Sequence, residues 1–268
     1  MIKYYDKENR KLVYIGERAT PDFWDKWWDI NNLRRTLERS KNNRFCLSTL
    51  CKYIHEKEGL ILEGGCGRGY LIYCMHTHGY KCIGIDFAAK TISSIKETFP
   101  ELDVRVGDVR NLPFPDNYFI GYWSLGVIEH YWSGYDDILR EMRRVLVKGG
   151  YVFLTFPYMS LLRKLKAKFA LYDEFNKEIV DIQHFYQFAL NVKTVIKDFK
   201  AAGFRLINSR PQNGVGGLVK EASLFKTLLQ KCYYYTGLNF FSRVTIFLIN
   251  GILATFAGHI IFLVFHKV

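Results

Sequence analysis

The residues best suited to chemistry begin at Glu63, in a stretch rich in glycine. The glycines Gly65, Gly67 and Gly69 carry no Cβ, so a loop built from them can pass close under a ligand. An acidic residue at Glu63 would repel a pyrophosphate but attract an ammonium group. The spacing G-x-G-x-G also departs from the dinucleotide pattern G-x-G-x-x-G, because Tyr70 stands where the third glycine of that pattern falls. Both features count against a nicotinamide enzyme.

Two further acidic residues stand at spacings that suit recognition of a nucleoside. Asp86 comes 21 residues after Gly65, where a carboxylate can accept hydrogen bonds from both hydroxyls of a ribose. Asp108 follows Gly107 and could meet the amino group of an adenine. One such residue alone is often only a cap. The ordered set of three predicts a single ligand crevice.

The elements that would position these residues are apolar runs that alternate with helical stretches. We predict strands at Gly59–Glu63, Lys81–Asp86, Asp103–Gly107, Tyr118–Ser124, Tyr151–Phe156 and Gly203–Ser209, and helices at Ala88–Thr98, Tyr135–Val147 and Val192–Ala202. This alternation predicts right-handed βαβ units and a parallel sheet covered by helices on both faces. The carboxyl ends of the first three strands then meet at one edge of the sheet, the usual ligand crevice.

At these residues the sequence resembles the class I S-adenosylmethionine-dependent methyltransferases, most closely those acting on small molecules and lipids. The matching pieces are Glu63-Gly-Gly-Cys-Gly-Arg-Gly69, Ile83-Gly-Ile-Asp86, Gly107-Asp108, Leu112-Pro-Phe-Pro-Asp116, Ile128-Glu-His130 and Arg144-Val-Leu-Val-Lys-Gly-Gly150. The resemblance is firmest over residues 55–157. It implies one α/β domain over residues 1–268, with a Rossmann-like, seven-stranded, mostly parallel sheet, helices on both faces and an antiparallel last strand.

The resemblance also implies the cofactor, S-adenosylmethionine, and an in-line transfer of its methyl group. Nine residues of this chain match cofactor positions of the family. They are Glu63, Gly65, Gly67 and Gly69 for the methionine part, Asp86 for the ribose with Phe87 next to it, Asp108 and Val109 for the adenine, and Leu125 beside the sulfonium.

Departures from the family narrow the expected reaction. Ser124-Leu-Gly126 stands where enzymes that methylate amino groups of DNA and protein carry Asn/Asp-Pro-Pro-Tyr/Phe. Some relatives bind a metal through Glu-x-x-x-Glu-His, whereas Leu125 occupies the first acidic position here. We therefore expect an acceptor oxygen or another simple nucleophile, and no metal.

A general base is needed only if the acceptor must lose a proton, as a hydroxyl would. His130 follows the fourth predicted strand, and His184 lies in the segment after the fifth. A histidine near its ordinary pKa can act as a base, although many are structural. We take His130 and His184 as candidates, with Tyr158 as a weaker third.

Segments outside the core are expected to cover the substrate. Residues 1–57 are predicted to form a helical cap, in which Trp24, Trp27 and Trp28 share one helix face and either dock on the core or roof a pocket. Residues 58–157 form the cofactor-binding core, and 158–190 an insertion over the substrate. The insertion carries a basic tract, Arg163-Lys-Leu-Lys-Ala-Lys168, which is either a solvated face or a contact for an anionic membrane or acidic substrate.

The last part, residues 191–268, completes the sheet and includes an apolar helical insertion at 220–257. The apolar tail could span a bilayer, but we favour a helix at Ser242–Ala257 followed by the seventh strand at 259–265. Lys220–Phe241 is apolar enough to suggest a lipid-like acceptor, peripheral membrane attachment or a homodimer interface. The polar start of the chain lacks a signal core, which predicts a cytoplasmic location.

Composition and charge leave two alternatives to a methyltransferase of small molecules or lipids. Hydrophobic residues make up 49% and charged residues 24% of the chain, which is typical of a globular protein and excludes disordered and fibrous classes. The 38 Lys and Arg against 26 Asp and Glu give a formal charge of +12. This charge keeps RNA methylation open as an alternative, although no RNA-binding appendage is visible and nucleic acid is not the expected partner. A non-catalytic, membrane-associated cofactor-binding protein is the other alternative.

Overall fold

The computed structural model describes residues 1–28, 30–55, 57–221 and 240–268, with the backbone alone for 240–248. The strands are β1 (Ile2–Asp6), β2 (Lys11–Ile15), β3 (Leu60–Gly64), β4 (Lys81–Asp86), β5 (Val104–Val106), β6 (Phe119–Leu125), β7 (Leu146–Pro157), β8 (Asp173–Glu174), β9 (Phe185–Ala189), β10 (Phe204–Gln212) and β11 (Ile260–Lys267). The helices are α1 (Pro21–Trp27), α2 (Leu33–Ser40), α3 (Arg44–Tyr53), α4 (Tyr70–Thr77), α5 (Ala89–Thr98), α6 (Asp136–Val145), α7 (Leu161–Lys168), α8 (Val192–Ala201), α9 (Gly214–Glu221) and α10 (Phe240–Ala257). Short 3₁₀ turns occur at Ile128–His130 and Ile182–His184.

Seven strands form the main sheet in the order β10-β11-β7-β6-β3-β4-β5. β3 lies parallel to β4 and β6, β4 to β5, and β6 to β7. β11 runs antiparallel to its two neighbours, β7 and β10. The predicted fold is therefore confirmed, including the antiparallel last strand.

Helices cover both faces of this sheet because adjacent strand residues point to opposite sides. Leu62 packs in a cluster with side chains of α6 and α8, such as Met142 and Phe199. Its neighbour Ile61 packs in a second cluster with α2 to α5, including Leu50. The two clusters fix the sheet from both sides, so the carboxyl ends of its parallel strands meet at one edge.

A second sheet of four strands, in the order β8-β1-β2-β9, was not predicted. Residues 2–15 form an unexpected β-hairpin, and the first helix of the cap begins at Pro21, where Thr20 caps it. β2 pairs with β9 of the 158–190 insertion, with Val13 opposite Phe188. The hairpin is favoured locally because Asp6 accepts hydrogen bonds from both the backbone and the side-chain nitrogen of Asn9 across its turn.

The fifth parallel strand is longer than predicted. The helix expected at Tyr135–Val147 ends at Val145, and β7 begins at Leu146, which pairs with Phe119 of β6. Gly149 and Gly150 therefore lie inside the strand. Burial of Leu146 in the sheet explains the shift.

The end of the chain is a helix followed by a strand, α10 and β11, as predicted. Among the residues that the structure describes, no helix has both the length and the apolar character needed to cross a bilayer. Most of the apolar stretch Lys220–Phe241 lies outside the described residues. The prediction made for it therefore stays untested.

Candidate functional site

A cavity of about 1560 Å³ runs along the carboxyl edge of the main sheet. Its walls include residues at or just after the ends of five parallel strands: Gly65 after β3, Asp86 of β4, Asp108 after β5, Leu125 of β6 and Pro157 of β7. Phe87 and His130 also line it. The structure thus brings six of the eleven predicted site residues, namely Gly65, Asp86, Phe87, Asp108, Leu125 and His130, to one cavity.

The glycine loop is shaped by close contacts that exclude larger residues. Gly65 has φ +78°, and a Cβ there would lie 2.4 Å from Cγ2 of Val127. Gly67 has φ +48°, and a Cβ there would lie 2.9 Å from the indole of Trp28. Gly65 faces the cavity, whereas Gly67 and Gly69 lie behind its wall and set the path of the loop into α4. The loop thus needs these glycines for its backbone conformation as well as for ligand approach.

Asp86 ties the end of β4 to the glycine loop and keeps capacity for a ligand. Its Oδ2 accepts a hydrogen bond from the backbone N–H of Gly67 at 2.8 Å, and its Oδ1 accepts one from Ala88 at 2.9 Å. The backbone of Phe87 also stabilises this carboxylate, so of its roughly four acceptor positions at least one remains for a ligand. Burial raises the pKa of Asp86 against the opposing effect of these hydrogen bonds. A cationic ligand nearby would favour its ionised form.

Asp108 lies at the same edge but is more open. Its carboxylate is bound by the guanidinium of Arg110, with Nη2 2.6 Å from Oδ2. Burial would raise the pKa of Asp108, but the hydrogen bonds and charge of Arg110 outweigh it and lower that pKa. Val109 differs from the prediction in its placement, since its side chain is buried in the core. Only its backbone is available to a ligand.

Glu63 lies behind the cavity, fully enclosed at the end of β3. Its Oε2 has no hydrogen-bond partner among the described residues. Burial, and secondly the charge of Asp86, raise the pKa of Glu63 well above its ordinary value. An orphaned buried carboxylate oxygen beneath a glycine loop fits a site that receives a positively charged group.

The opposite wall holds Glu129 and His130, in the 3₁₀ turn after β6. The Nδ1 of His130 lies 2.8 Å from the carbonyl oxygen of Tyr186. Because a carbonyl oxygen only accepts, Nδ1 carries the proton and Nε2 is left as an acceptor. Nε2 lies 4.0 Å from Oε1 of Glu129, whose Oε2 has no partner among the described residues. Burial lowers the pKa of His130 to about 4 and raises that of Glu129 to about 8.

His184, the other predicted base, is placed elsewhere. Its side chain is 65% exposed and its Nε2 lies 3.7 Å from Asp181, outside the cavity. Tyr158 is buried, and its hydroxyl donates to the carbonyl of Ala254. The structure therefore does not bring His184 to the cavity. The short 3₁₀ turn at Ile182–His184 directs its side chain outward.

The tryptophans of the N-terminal region roof the cavity. Trp24, Trp27 and Trp28 all line it, and the ring of Trp24 meets that of His130 edge to face at 5.1 Å. Their helix is held over the site by Asp25, whose carboxylate accepts hydrogen bonds from the backbone of Thr91 and its neighbour at the start of α5. Both interpretations from the sequence therefore describe the structure, because Trp28 packs against Gly67 of the core and all three side chains line the cavity.

The far end of the cavity is basic, and sequence reasoning missed most of it. Lys3, Tyr14 and Lys220 line this end, together with Lys166 of the basic tract. The tract is not a uniform solvated face, because Arg163 is fully buried against Glu221 while Lys164 is exposed. A periodicity argument on α7 could have found this, since Arg163 and Lys166 are three residues apart and share a face.

The acidic end fits S-adenosylmethionine in the chemistry of its groups. Orphaned carboxylate oxygens at Glu63 and Glu129 suit its positive charges, and Asp86 has acceptor capacity for ribose hydroxyls. Gly65 has no Cβ, so its backbone is bare at the cavity wall. A side chain at this position would collide with Val127. The residues present therefore fit the cofactor expected from the resemblance.

Comparisons with known proteins agree with this geometry. A family model described as a methyltransferase domain matches residues 62–154. A "Probable S-adenosylmethionine-dependent methyltransferase" of Mycobacterium tuberculosis is 30% identical over 149 residues, covering 54% of this chain and 48% of that protein. The phthiotriol/phenolphthiotriol dimycocerosates methyltransferase of the same species is 32% identical over 105 residues, covering 38% of this chain and 37% of that protein. The matches thus span less than half the length of these relatives.

Among solved structures, the methyltransferase bound to the Haloferax volcanii Trm112 methyltransferase activator superposes with a TM-score of 0.59. The superposition covers 93% of this chain and 97% of that one at 14% identity, which shows a shared fold. The methyltransferase domain matched at residues 62–154, the S-adenosylmethionine-dependent relatives and this shared fold together support a class I S-adenosylmethionine-dependent methyltransferase.

Proposed function

We propose that this protein transfers a methyl group from S-adenosylmethionine to a small or lipid-like acceptor. The observation that carries the proposal is the convergence of Gly65, Asp86 and Asp108 on one cavity whose opposite wall holds Glu129 and His130. One wall has the groups for a cationic nucleoside, and the other has groups that can accept a proton.

Gly65, Asp86 and Asp108 would hold the cofactor, with Glu63 behind the loop contributing negative charge. The cofactor, when bound, supplies a methyl group already activated by its sulfonium. The protein then has to align the acceptor and exclude water, and such positioning can supply roughly 7–11 kcal/mol of the barrier. The aromatic roof of Trp24, Trp27 and Trp28 supports exclusion of water from the reacting atoms.

His130 is the residue we propose to contact the acceptor. Its Nε2 is the unprotonated nitrogen, so it can accept a hydrogen bond or a proton from a hydroxyl. A proton gained there makes an imidazolium, which the nearby Glu129 would stabilise once its own carboxyl is ionised. The hydrogen bond from Nδ1 to Tyr186 fixes the ring in this orientation.

A lipid-like acceptor is supported by the apolar lining of the cavity. Beyond the roof, Trp132, Phe185 and Val219 contribute to its wall. The relative from M. tuberculosis that is named for phthiotriol dimycocerosates is a methyltransferase of a lipid-like substrate. For this chain such a substrate is our proposal.

We also propose that the protein meets membranes peripherally. α7 packs against α10, and both carry exposed apolar side chains, including Leu161 at 52% exposure and Ile252 at 73%. Lys164 and Lys168 of α7 are also exposed and could meet anionic headgroups. A homodimer through the same surface is the competing explanation.

Calorimetry and a labelled-methyl screen test the proposal. The purified chain should bind S-adenosylmethionine and its demethylated product, and should not bind nicotinamide dinucleotide. Cell extract incubated with labelled cofactor and protein is then split into lipid, RNA and small-molecule pools. Label in the lipid or small-molecule pool supports the proposal. Label in RNA alone would favour RNA methylation, and cofactor binding with no labelled pool would indicate a non-catalytic binding protein.

A further inference from the structure

The basic end of the cavity contains more positive charge than its own carboxylate can balance. Lys3, Arg163, Lys166 and Lys220 surround Glu221. The side chains of Arg163 and Glu221 are 0% and 1% exposed, and those of Lys3 and Lys166 are each 21% exposed. Charges in such surroundings interact strongly, because water screens them little.

Glu221 has no capacity left for a further cation. Its Oε1 accepts from Lys3 and from Arg163, each at 2.9 Å. Its Oε2 accepts from Tyr172 at 2.7 Å and from Lys166 at 3.2 Å. Residues 222–268 contain no Asp or Glu, so this carboxylate is the last acidic side chain of the sequence. The segment that follows α9 therefore brings no acidic side chain to the excess of cations.

Lys220 and His259 present two hydrogen-bond donors to the same place. Arg163 Nη2 lies 2.8 Å from Nδ1 of His259, and a guanidinium only donates, so Nδ1 accepts and the proton of the neutral ring is on Nε2. That Nε2–H faces Nζ of Lys220 at 2.7 Å. A charged ammonium has no lone pair to accept it. Partial desolvation, and the charges of Arg163 and Lys3, accordingly lower the pKa of Lys220, although its side chain is accessible from the cavity.

Tyr14 adds an unused donor at the same end. Its side chain lines the cavity and is 2% exposed. Its hydroxyl makes no hydrogen bond of standard geometry with the described residues. Arg163 acts on this hydroxyl, but a guanidinium only donates, so the O–H of Tyr14 has no acceptor among the described residues and an anionic group in the cavity would supply one.

We propose that the methyl acceptor carries an anionic group, a carboxylate or a phosphate, which binds at this basic end through Lys3, Lys220, His259 and Tyr14. The proposal rests on the proposed function, because it names the chemistry of the acceptor. Within the basic end, His259 directly precedes β11, whereas His130 follows β6, two strands away from β11. At the usual strand spacing the anionic group lies roughly 10 Å from the reacting end of the acceptor.

The test uses inorganic phosphate as a probe, titrated calorimetrically into the full-length protein. The wild type should show saturable binding. Lys220→Gln should weaken it about tenfold, because charge-assisted hydrogen bonds are strong, and Tyr14→Phe should weaken it to a smaller extent. Lys164→Gln removes the same charge from the exposed face of α7 and should bind phosphate as the wild type does.

The demethylated cofactor is titrated into the same samples. Its affinity should be equal in all four proteins, which also shows that the variants are folded. Absence of saturable phosphate binding by the wild type would overturn the inference, as would equal weakening in Lys164→Gln and Lys220→Gln. Failure of the wild type to bind the demethylated cofactor would instead overturn the proposed function and leave the phosphate result standing.

The anionic group of the acceptor can belong to a lipid headgroup or to a free solute, and binding to vesicles distinguishes these two sources. Phosphatidic acid vesicles are compared with phosphatidylcholine vesicles by sedimentation. If Lys220→Gln weakens binding to phosphatidic acid, the group belongs to a lipid headgroup. If wild type and Lys220→Gln sediment equally while their phosphate affinities differ, the group belongs to a free solute. Both results support an anionic acceptor.

Discussion

Asp86 both shapes the glycine loop and presents its remaining acceptor positions to the cavity. Asp86→Asn keeps the size of the side chain but replaces one carboxylate oxygen with a donor. We expect the affinity for the demethylated cofactor to fall by about 1–3 kcal/mol, since a hydrogen bond between a carboxylate and ribose hydroxyls is lost. Calorimetry measures this loss of affinity for the demethylated cofactor. Asp103→Asn, an exposed carboxylate beside β5, is the matched control. Equal affinities for all three proteins would remove Asp86 from the cofactor site.

Because the pKa of Glu129 is raised, we expect the stability of the folded protein to depend on pH. This dependence can be measured without the methyl acceptor. The pKa of Glu129 is raised from an ordinary 4.5 to about 8, so the folded protein holds a proton that the unfolded chain releases. The stabilisation is complete below pH 4.5 and is lost as the pH rises through 8. Between pH 6.5 and 8, wild type should lose up to about 1.4 kcal/mol per pH unit relative to Glu129→Gln.

Urea unfolding at several pH values across that range measures the difference. His130 also contributes near pH 6.5, because its pKa is 6.5 in the unfolded chain and about 4 in the folded protein, but both proteins carry it and its contribution cancels in their difference. Parallel dependence of the two proteins on pH would contradict the raised pKa of Glu129.

Single residues could be predicted from the sequence where their roles follow from their position along a strand. Asp86 and Asp108 could be placed because the end of a parallel strand fixes where its next side chain lies. His184 could not, because a short 3₁₀ turn, which has no periodic signal, decides which way it points. Lys3 and Tyr14 were missed because their role depends on a contact with residues about 200 positions later.

Among the elements, the cluster around Glu221 joins three parts of the chain that are distant in sequence. It connects β1 through Lys3, α7 through Arg163 and α9 through Glu221 itself. The N-terminal hairpin, the insertion and the end of the sheet are therefore coupled at one buried carboxylate.

Glu221→Gln should be strongly destabilising, because it leaves Arg163 buried without its counter-charge. Breaking a buried pair in this way costs about 3–5 kcal/mol. Urea unfolding at neutral pH measures the loss, and Glu178→Gln, at an exposed position of the insertion, should change stability by less than about 0.5 kcal/mol.

The pH dependence of that loss follows from the pKa of Glu221. Burial opposes ionisation of this carboxyl, but Arg163 and Lys3 outweigh it and lower its pKa to about 2. The stabilisation is present above pH 4.5 and is lost as the pH falls towards 2. The stability of Glu221→Gln should therefore approach that of the wild type in acid. A constant difference would show that the charge of Glu221 is not the cause.

Most elements of the main sheet could be predicted because each is an apolar run between turn residues. β5 was found although it has only three residues, since its position in the alternation required a strand. The second sheet could not be predicted in the same way. β8 has two residues, and β1 and β2 are separated from β9 by the whole core, so only tertiary pairing defines that sheet.

For the whole molecule, the cavity is divided by charge. Asp86 and Asp108 line one end, where, among the described residues, only Asp108 has a cationic partner, Arg110. Lys3, Lys166 and Lys220 line the other end around the single carboxylate of Glu221. Such a division orients two ligands of opposite charge within one space and disfavours the reverse arrangement.

Peripheral membrane association is testable at this scale by flotation. The protein should float with phosphatidylglycerol vesicles at low salt, and less of it should float as salt rises, because screening weakens attraction to the charged surface. Ile252→Ser removes an exposed apolar side chain from α10 and should reduce flotation. Ile207→Ser, on the exposed face of β10, is the control. Recovery of all the protein in the dense fraction at low salt would contradict membrane attachment.

Met1 lines the cavity and is 72% exposed, whereas Val268 hydrogen-bonds near the start of β10, at the opposite edge of the main sheet. An affinity tag joined to the first residue would therefore emerge beside the cavity. A tag joined to the last residue would leave the cavity clear. Assays of acceptor turnover should thus be run on protein purified through its carboxyl terminus.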